Sequence, residues 1–101
     1  MDIPQGCCPM FEDNLIVKRF LIEEDDKVVF SNCEVTENAL LDCPRLLVYG
    51  NLTVRAGAEV SCLSLEVFGN LVVEGSAVVN VEGDEPPIIH GNLSGEGKLV
   101  F

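Results

Sequence analysis

The chain has no tryptophan, one histidine and only six basic residues among its 101. Seventeen acids stand against those six, and the resulting net charge of −11 makes a field that repels phosphate. Recognition of DNA or RNA through the backbone needs the opposite sign, so direct nucleic-acid binding is not expected. An anionic membrane surface is disfavoured for the same reason. No apolar run approaches the roughly 18 residues of a membrane span. The first residues, MDIPQGCCPMFEDN, lack the basic start and long apolar stretch of a secretory signal, which points to the cytoplasm. Without secretion, the acceptor-like tripeptides at Asn51 and Asn92 carry no meaning as glycosylation sites.

Chemical motifs are missing too. There is no C-x-x-C pair, no G-x-S-x-G, no P-loop and no G-x-G-x-x-G. Of the five cysteines, Cys7 and Cys8 are vicinal and are the pair to test for metal or redox chemistry. Cys33, Cys43 and Cys62 are dispersed and read as small core residues, thiols in a reducing compartment. The run Glu23-Glu24-Asp25-Asp26 lies in a turn-like stretch, and its spacing is not that of an EF-hand. The reading is therefore a non-enzymatic protein with no catalytic residue, no metal and no cofactor.

What is present is a strand former's composition. Residues are 48% hydrophobic, mean hydropathy is +0.30, and nine glycines punctuate the chain. That is one globular domain rather than a disordered segment. Its most informative feature is repetition. "GNL" occurs in YGNLTVRAGAEV, FGNLVVEGSAVV and HGNLSGEGKLVF. The step from Asn51 to Asn70 is shorter than the step from Asn70 to Asn92. Repeating the shorter step backwards from Asn51 lands on Asn32, in FSNCEV. A weaker copy surrounds Asn14.

In this register whole columns agree. Val29, Val48, Val67 and Ile89 align, followed by Phe30, Tyr49, Phe68 and His90. Then come Ser31, Gly50, Gly69 and Gly91, the four asparagines, and Cys33, Leu52, Leu71 and Leu93. Farther along stand Val35, Val54 and Val73, the turn-like set Asn38, Gly57 and Ser76, then Ala39, Ala58 and Ala77. Cys43, Cys62 and Val81 close the pattern. The extra length before the last copy falls in VEGDEPPII, a loop composition.

Self-similarity at roughly 20 residues with short alternating apolar runs describes a β-solenoid. The expectation is an all-β fold: a single-stranded right-handed β-helix of about five coils of 18–22 residues, over residues 13–101. Residues 1–12 form an N-terminal cap or leader. A left-handed hexapeptide helix, with shorter coils, is the competing solenoid. Alternation puts Leu52, Val54, Leu63, Leu65 and Val67 inside and Thr53, Arg55, Ser64 and Glu66 in water. Stacked at about 4.8 Å, Asn32, Asn51, Asn70 and Asn92 form a structural ladder at one corner, side-chain amide to side-chain amide. The preceding Gly or Ser permits the tight turn there.

The stretch LLVYGNLTVRAGAEVSCLSLEVFGNLVVEGSAVV resembles the bactofilin class of polymer-forming cytoskeletal proteins, compact right-handed β-helices with short coils of the form G-[DN]-L-x-[VI]-x-x-G-A-x-V. The matching positions are Gly50, Asn51, Leu52, Val54, Gly57, Ala58 and Val60, then Gly69, Asn70, Leu71, Val73, Ala77 and Val79. The resemblance covers about residues 29–101 and implies a self-associating, non-catalytic protein.

The candidate interface follows from alternation. With the valines of each coil inside, Phe30, Tyr49, Phe68 and His90 lie outward or at a corner, a ribbon flanked by Leu47 and Ile88. Val100 and Phe101 belong to an open coil edge, the second candidate interface. The expected partner is a second copy of the chain, as a homodimer or higher oligomer, through a scaffold-like self-association. The alternative is a small acidic decoy that binds a basic nucleic-acid-binding protein. Gathering of Glu34, Glu37, Glu59, Glu66, Glu74 and Glu82 on one face favours the decoy, and an even spread favours the scaffold.

Overall fold

The computed structural model describes residues 10–22, 24 and 26–101. Over these residues the protein is all-β, without a helix, and every strand pairing is parallel. The strands are β1 (Met10–Glu12), β2 (Leu15–Val17), β3 (Phe20–Ile22), β4 (Lys27–Val29), β5 (Cys33–Val35) and β6 (Leu40–Val48). They continue as β7 (Leu52–Val54), β8 (Glu59–Val67), β9 (Leu71–Val73), β10 (Val78–Val81), β11 (Ile88–Ile89), β12 (Leu93–Ser94) and β13 (Lys98–Val100). One sheet runs β1-β4-β6-β8-β10-β13, with β3 also on β6 and β11 also on β8; the other runs β12-β9-β7-β5-β2. The protein is a β-solenoid.

Pairing follows the repeat columns residue by residue. Leu15, Cys33, Leu52, Leu71 and Leu93 lie in one register. The asparagine before each of them is offset from the next by 18, 19, 19 and 22 positions in turn. These five rungs make four turns, and the last coil is partial. The sheet also starts earlier than residue 13. Met10–Glu12 pair with Lys27–Val29, which draws the end of the segment expected to be a leader into the solenoid. Cys7 and Cys8 lie outside the described residues, as do Glu23 and Asp25.

Each coil has three limbs. The first is β5, β7 or β9. A turn follows, closed by Ala39, Ala58 and Ala77 N–H groups donating to the carbonyls of Thr36, Arg55 and Glu74, each at 3.0 Å. The third residue of each turn takes positive φ: 61° at Asn38, 73° at Gly57 and 63° at Ser76. That is the conformation a four-residue turn of type II requires at this place.

The second and third limbs share the long strands β6 and β8. Their inward alternation breaks once, at Pro44-Arg45 and at Leu63-Ser64, where two successive residues face outward. Leu63, expected inside, is therefore 56% exposed. A chain that turns a corner must give the outside of the bend two consecutive positions, and strict alternation does not survive it.

The interior is narrow and mainly apolar. Leu52, Leu71, Val35, Val54, Val48, Val67, Val60 and Val79 are essentially inaccessible, and the three alanines fill the tight space beside the turns. Each buried aliphatic side chain contributes about 1.5–3 kcal/mol by leaving water. One charged residue joins them. Lys27 is buried in β4, beneath Leu46 and Leu65 in an inward column.

The coils differ at two places. Between β10 and β11, residues 82–87 form the extra loop, since Val81 pairs with Cys62 but Ile89 with Val67. In the last coil the chain takes a short cut. The offset from Leu71 to its partner Leu93 exceeds the offset from Val78 to its partner Lys98.

Candidate binding faces

At the corner from the third limb to the first, each coil supplies an aromatic ring, a small residue and an asparagine in succession. Phe30 and Tyr49 stack with ring centroids 5.9 Å apart, Tyr49 and Phe68 at 5.0 Å, and Phe68 and His90 at 4.5 Å. Their planes diverge by only 12°, 17° and 12°. In-register parallel strands impose this arrangement, because equivalent side chains repeat at the strand spacing of about 4.8 Å.

The rings point outward. Phe30, Tyr49 and Phe68 are 49, 46 and 41% exposed. Since each inner ring face is covered by its neighbour, the column shows mainly ring edges along its length. Between stacked neighbours it offers no ring face to a sugar or nucleobase. His90 closes one end, its Nε2 2.8 Å from Glu66 Oε2.

Beside the rings the backbone of successive coils comes very close. The N–H of Gly50 donates to the Ser31 carbonyl at 2.7 Å, and that of Gly69 to the Gly50 carbonyl at 2.9 Å. A Cβ on Gly69 would lie 2.5 Å from Asn51 Oδ1 and 2.6 Å from the Gly50 carbonyl oxygen, so no side chain fits.

The asparagines form a ladder of a different kind from the amide-to-amide one expected. The Oδ1 atoms of Asn14, Asn32, Asn51 and Asn70 accept from the backbone N–H of Asn32, Asn51, Asn70 and Asn92, at 3.2, 3.0, 2.8 and 2.9 Å. The close approach at glycine puts each side-chain oxygen over the next coil's peptide rather than its side chain. The asparagines are exposed, and their bonds run along the rim of the corner.

Val100 and Phe101 stand elsewhere. Val100 ends β13 on the second limb, paired with Asn80, and both Val100 and Phe101 are exposed. The outer edges of β12 and β13 have no strand partner among the described residues.

The carboxylates are distributed around the coil. Glu34 is on the first limb, Glu37 and Glu74 flank the turns, Glu59 and Glu82 mark the second limb, and Glu66 is on the third. Several are occupied. Arg55 Nε lies 2.9 Å from Glu34 Oε2, its Nη1 lies 2.7 Å from Glu74 Oε2, and the Ser61 hydroxyl donates to Glu82 at 2.7 Å. Hydrogen bonds to both glutamates, Glu34 first, raise the Arg55 pKa further.

The core thiols are buried. Desolvation pushes Cys33, Cys43 and Cys62 up to about 12, and at Cys33 and Cys43 the charge of Lys27 offsets part of the rise. They are protonated near neutral pH and poor nucleophiles. No group of three metal-ligating side chains occurs among the described residues. No helix there is long and apolar enough to cross a membrane.

Sequence reasoning missed three features of these surfaces: Lys27 inside, Leu63 outside, and the cleft that the loop of residues 82–87 makes with the bend. Lys27 could have been found by parity, since it shares the inward phase of Val29. When the chain is compared with models of protein families, with curated proteins and with solved structures, nothing matches it.

Proposed function

We propose that this protein is a non-enzymatic scaffold that self-associates side by side through its aromatic corner. The observation that carries the reading is the scarcity of charge there. The four-membered aromatic, small-residue and asparagine columns and the neighbouring Leu47, Glu66 and Ile88 contain one carboxylate, and His90 is paired with it; a second, Asp13, lies beneath Ser31 at the end of the small-residue column. The whole molecule carries −11. Interface cores are depleted of charge in this way, and rings are their usual anchors.

A second copy is the partner best matched to this strip. Both copies repeat every ~4.8 Å along the axis, so the ring edges of one can seat between the rungs of the other along the full length. A two-fold arrangement sets Phe30 against His90 and Tyr49 against Phe68. The resemblance to polymer-forming β-helices supports the same reading, and the unpaired edges of β12 and β13 offer a second contact. The spread of carboxylates over all three limbs favours the scaffold over the acidic decoy.

Light scattering across protein concentration tests this, for the wild type, Phe68→Ser and Tyr49→Ser. The wild type is expected to gain mass with concentration, and more so as salt screens its like charges. Both variants are expected to stay monomeric while keeping their circular dichroism. A wild type that remains a monomer at every concentration and salt would overturn the proposal. Capture of a basic nucleic-acid-binding protein in competition with its nucleic acid would favour the decoy.

A further inference from the structure

At the bend between the second and third limbs lies a cleft of about 730 Å³, bordered by Asp84, Glu85 and Pro86 of the loop of residues 82–87. Apolar side chains line its base. Leu63 and Ile88 are 56% and 47% exposed and line the same space. Its rim is acidic, with Asp26 from the first coil, Glu66 from the third, and Asp84 and Glu85 from the loop. Against these four carboxylates the lining has a single guanidinium, Arg45. Asp84 and Glu85 form no ion pair among the described residues.

We propose that this cleft binds a basic peptide segment of a partner protein, with an aliphatic side chain on Leu63 and Ile88 and flanking lysines or arginines at the acidic rim. Charge complementarity selects the occupant. A phosphorylated or acidic ligand meets four negative groups at the rim. A small apolar molecule finds an open cleft with polar walls, whereas such ligands need near-complete enclosure. An extended peptide places alternate side chains at opposite faces, which suits an apolar base and a charged rim at once.

The site goes beyond the scaffold reading. It shares Leu47, Glu66 and Ile88 with the flank of the aromatic strip, but none of the stacked rings lines it, so Phe68→Ser tests the two readings apart.

Fluorescence anisotropy with a labelled peptide of about eight residues alternating lysine and leucine tests the proposal. Peptides with glutamate in place of lysine, and with serine in place of leucine, serve as comparisons. At concentrations where both are monomeric, wild type and Phe68→Ser should bind the lysine–leucine peptide equally. Asp84→Asn with Glu85→Gln should weaken it about tenfold, and Leu63→Ser about fivefold, since a few central contacts dominate such interfaces. Glu37→Gln with Glu59→Gln removes the same charge outside the cleft and should change binding less than about twofold. Equal weakening by the two charge pairs would show attraction to net charge alone and overturn the site. So would a lysine–serine peptide that binds as well as the lysine–leucine one.

Discussion

Cys33, Cys43 and Cys62 make stability depend on pH in a defined direction. Burial raises each thiol from 9.0 to about 12. Below about pH 9 both folded and unfolded chains keep these protons, and the thiols contribute no pH dependence. Above that, the unfolded chain releases protons that the folded one retains. Stability should then fall by up to about 1.4 kcal/mol per pH unit for each thiol, until pH passes the folded value. Urea unfolding of the wild type against Cys43→Val with Cys62→Val isolates the effect from other titrations. Valine already occupies this column at Val81, so the fold should persist. The double variant should lose roughly two thirds of the thiol slope; an unchanged slope would show that these thiols ionise as freely in the fold as in water.

At the scale of the element, the corner ladder depends on an acceptor and not on an amide. Asn51→Asp keeps the oxygen that receives the Asn70 N–H and should cost less than about 0.5 kcal/mol. Asn51→Ala leaves that N–H without its partner and should cost about 1 kcal/mol. Thermal or denaturant unfolding separates the two, and aspartate behaving like alanine would point to a role for the side-chain NH₂. The corner also marks how far sequence reaches. Every column of the repeat was legible, because in-register stacking forces like residues over like. The outward aromatic column was legible from the parity of Val29, Val48 and Val67. The bend at residues 63–64 was not, because an outward leucine followed by serine and leucine reads as plain alternation. Its signal lay one coil earlier, where Pro44-Arg45 occupies the same place with residues unsuited to a core. The ladder's true partner was hidden for another reason. It depends on the distance between two backbones, and only the glycine column hinted at that. The cleft depends on how a loop folds back, which no periodicity encodes.

For the whole molecule, stacking makes stability close to a sum over coils and their contacts. Duplicating residues 52–70, one full repeat unit, should therefore give a folded, longer protein that melts higher than the parent. Circular dichroism through a thermal ramp checks this, and a duplicate that melts lower would argue for a cooperative unit larger than the coil. The same periodicity carries a hazard. A chain whose rungs are interchangeable can zip together one rung out of step and bury nearly the same surface. The unequal lengths of successive turns act against that error. Only one alignment sets Lys27 beneath Leu46 and lets the loop of residues 82–87 leave the stack without stretching a turn. The unequal coils work as the notches of a key, giving each rung a single address.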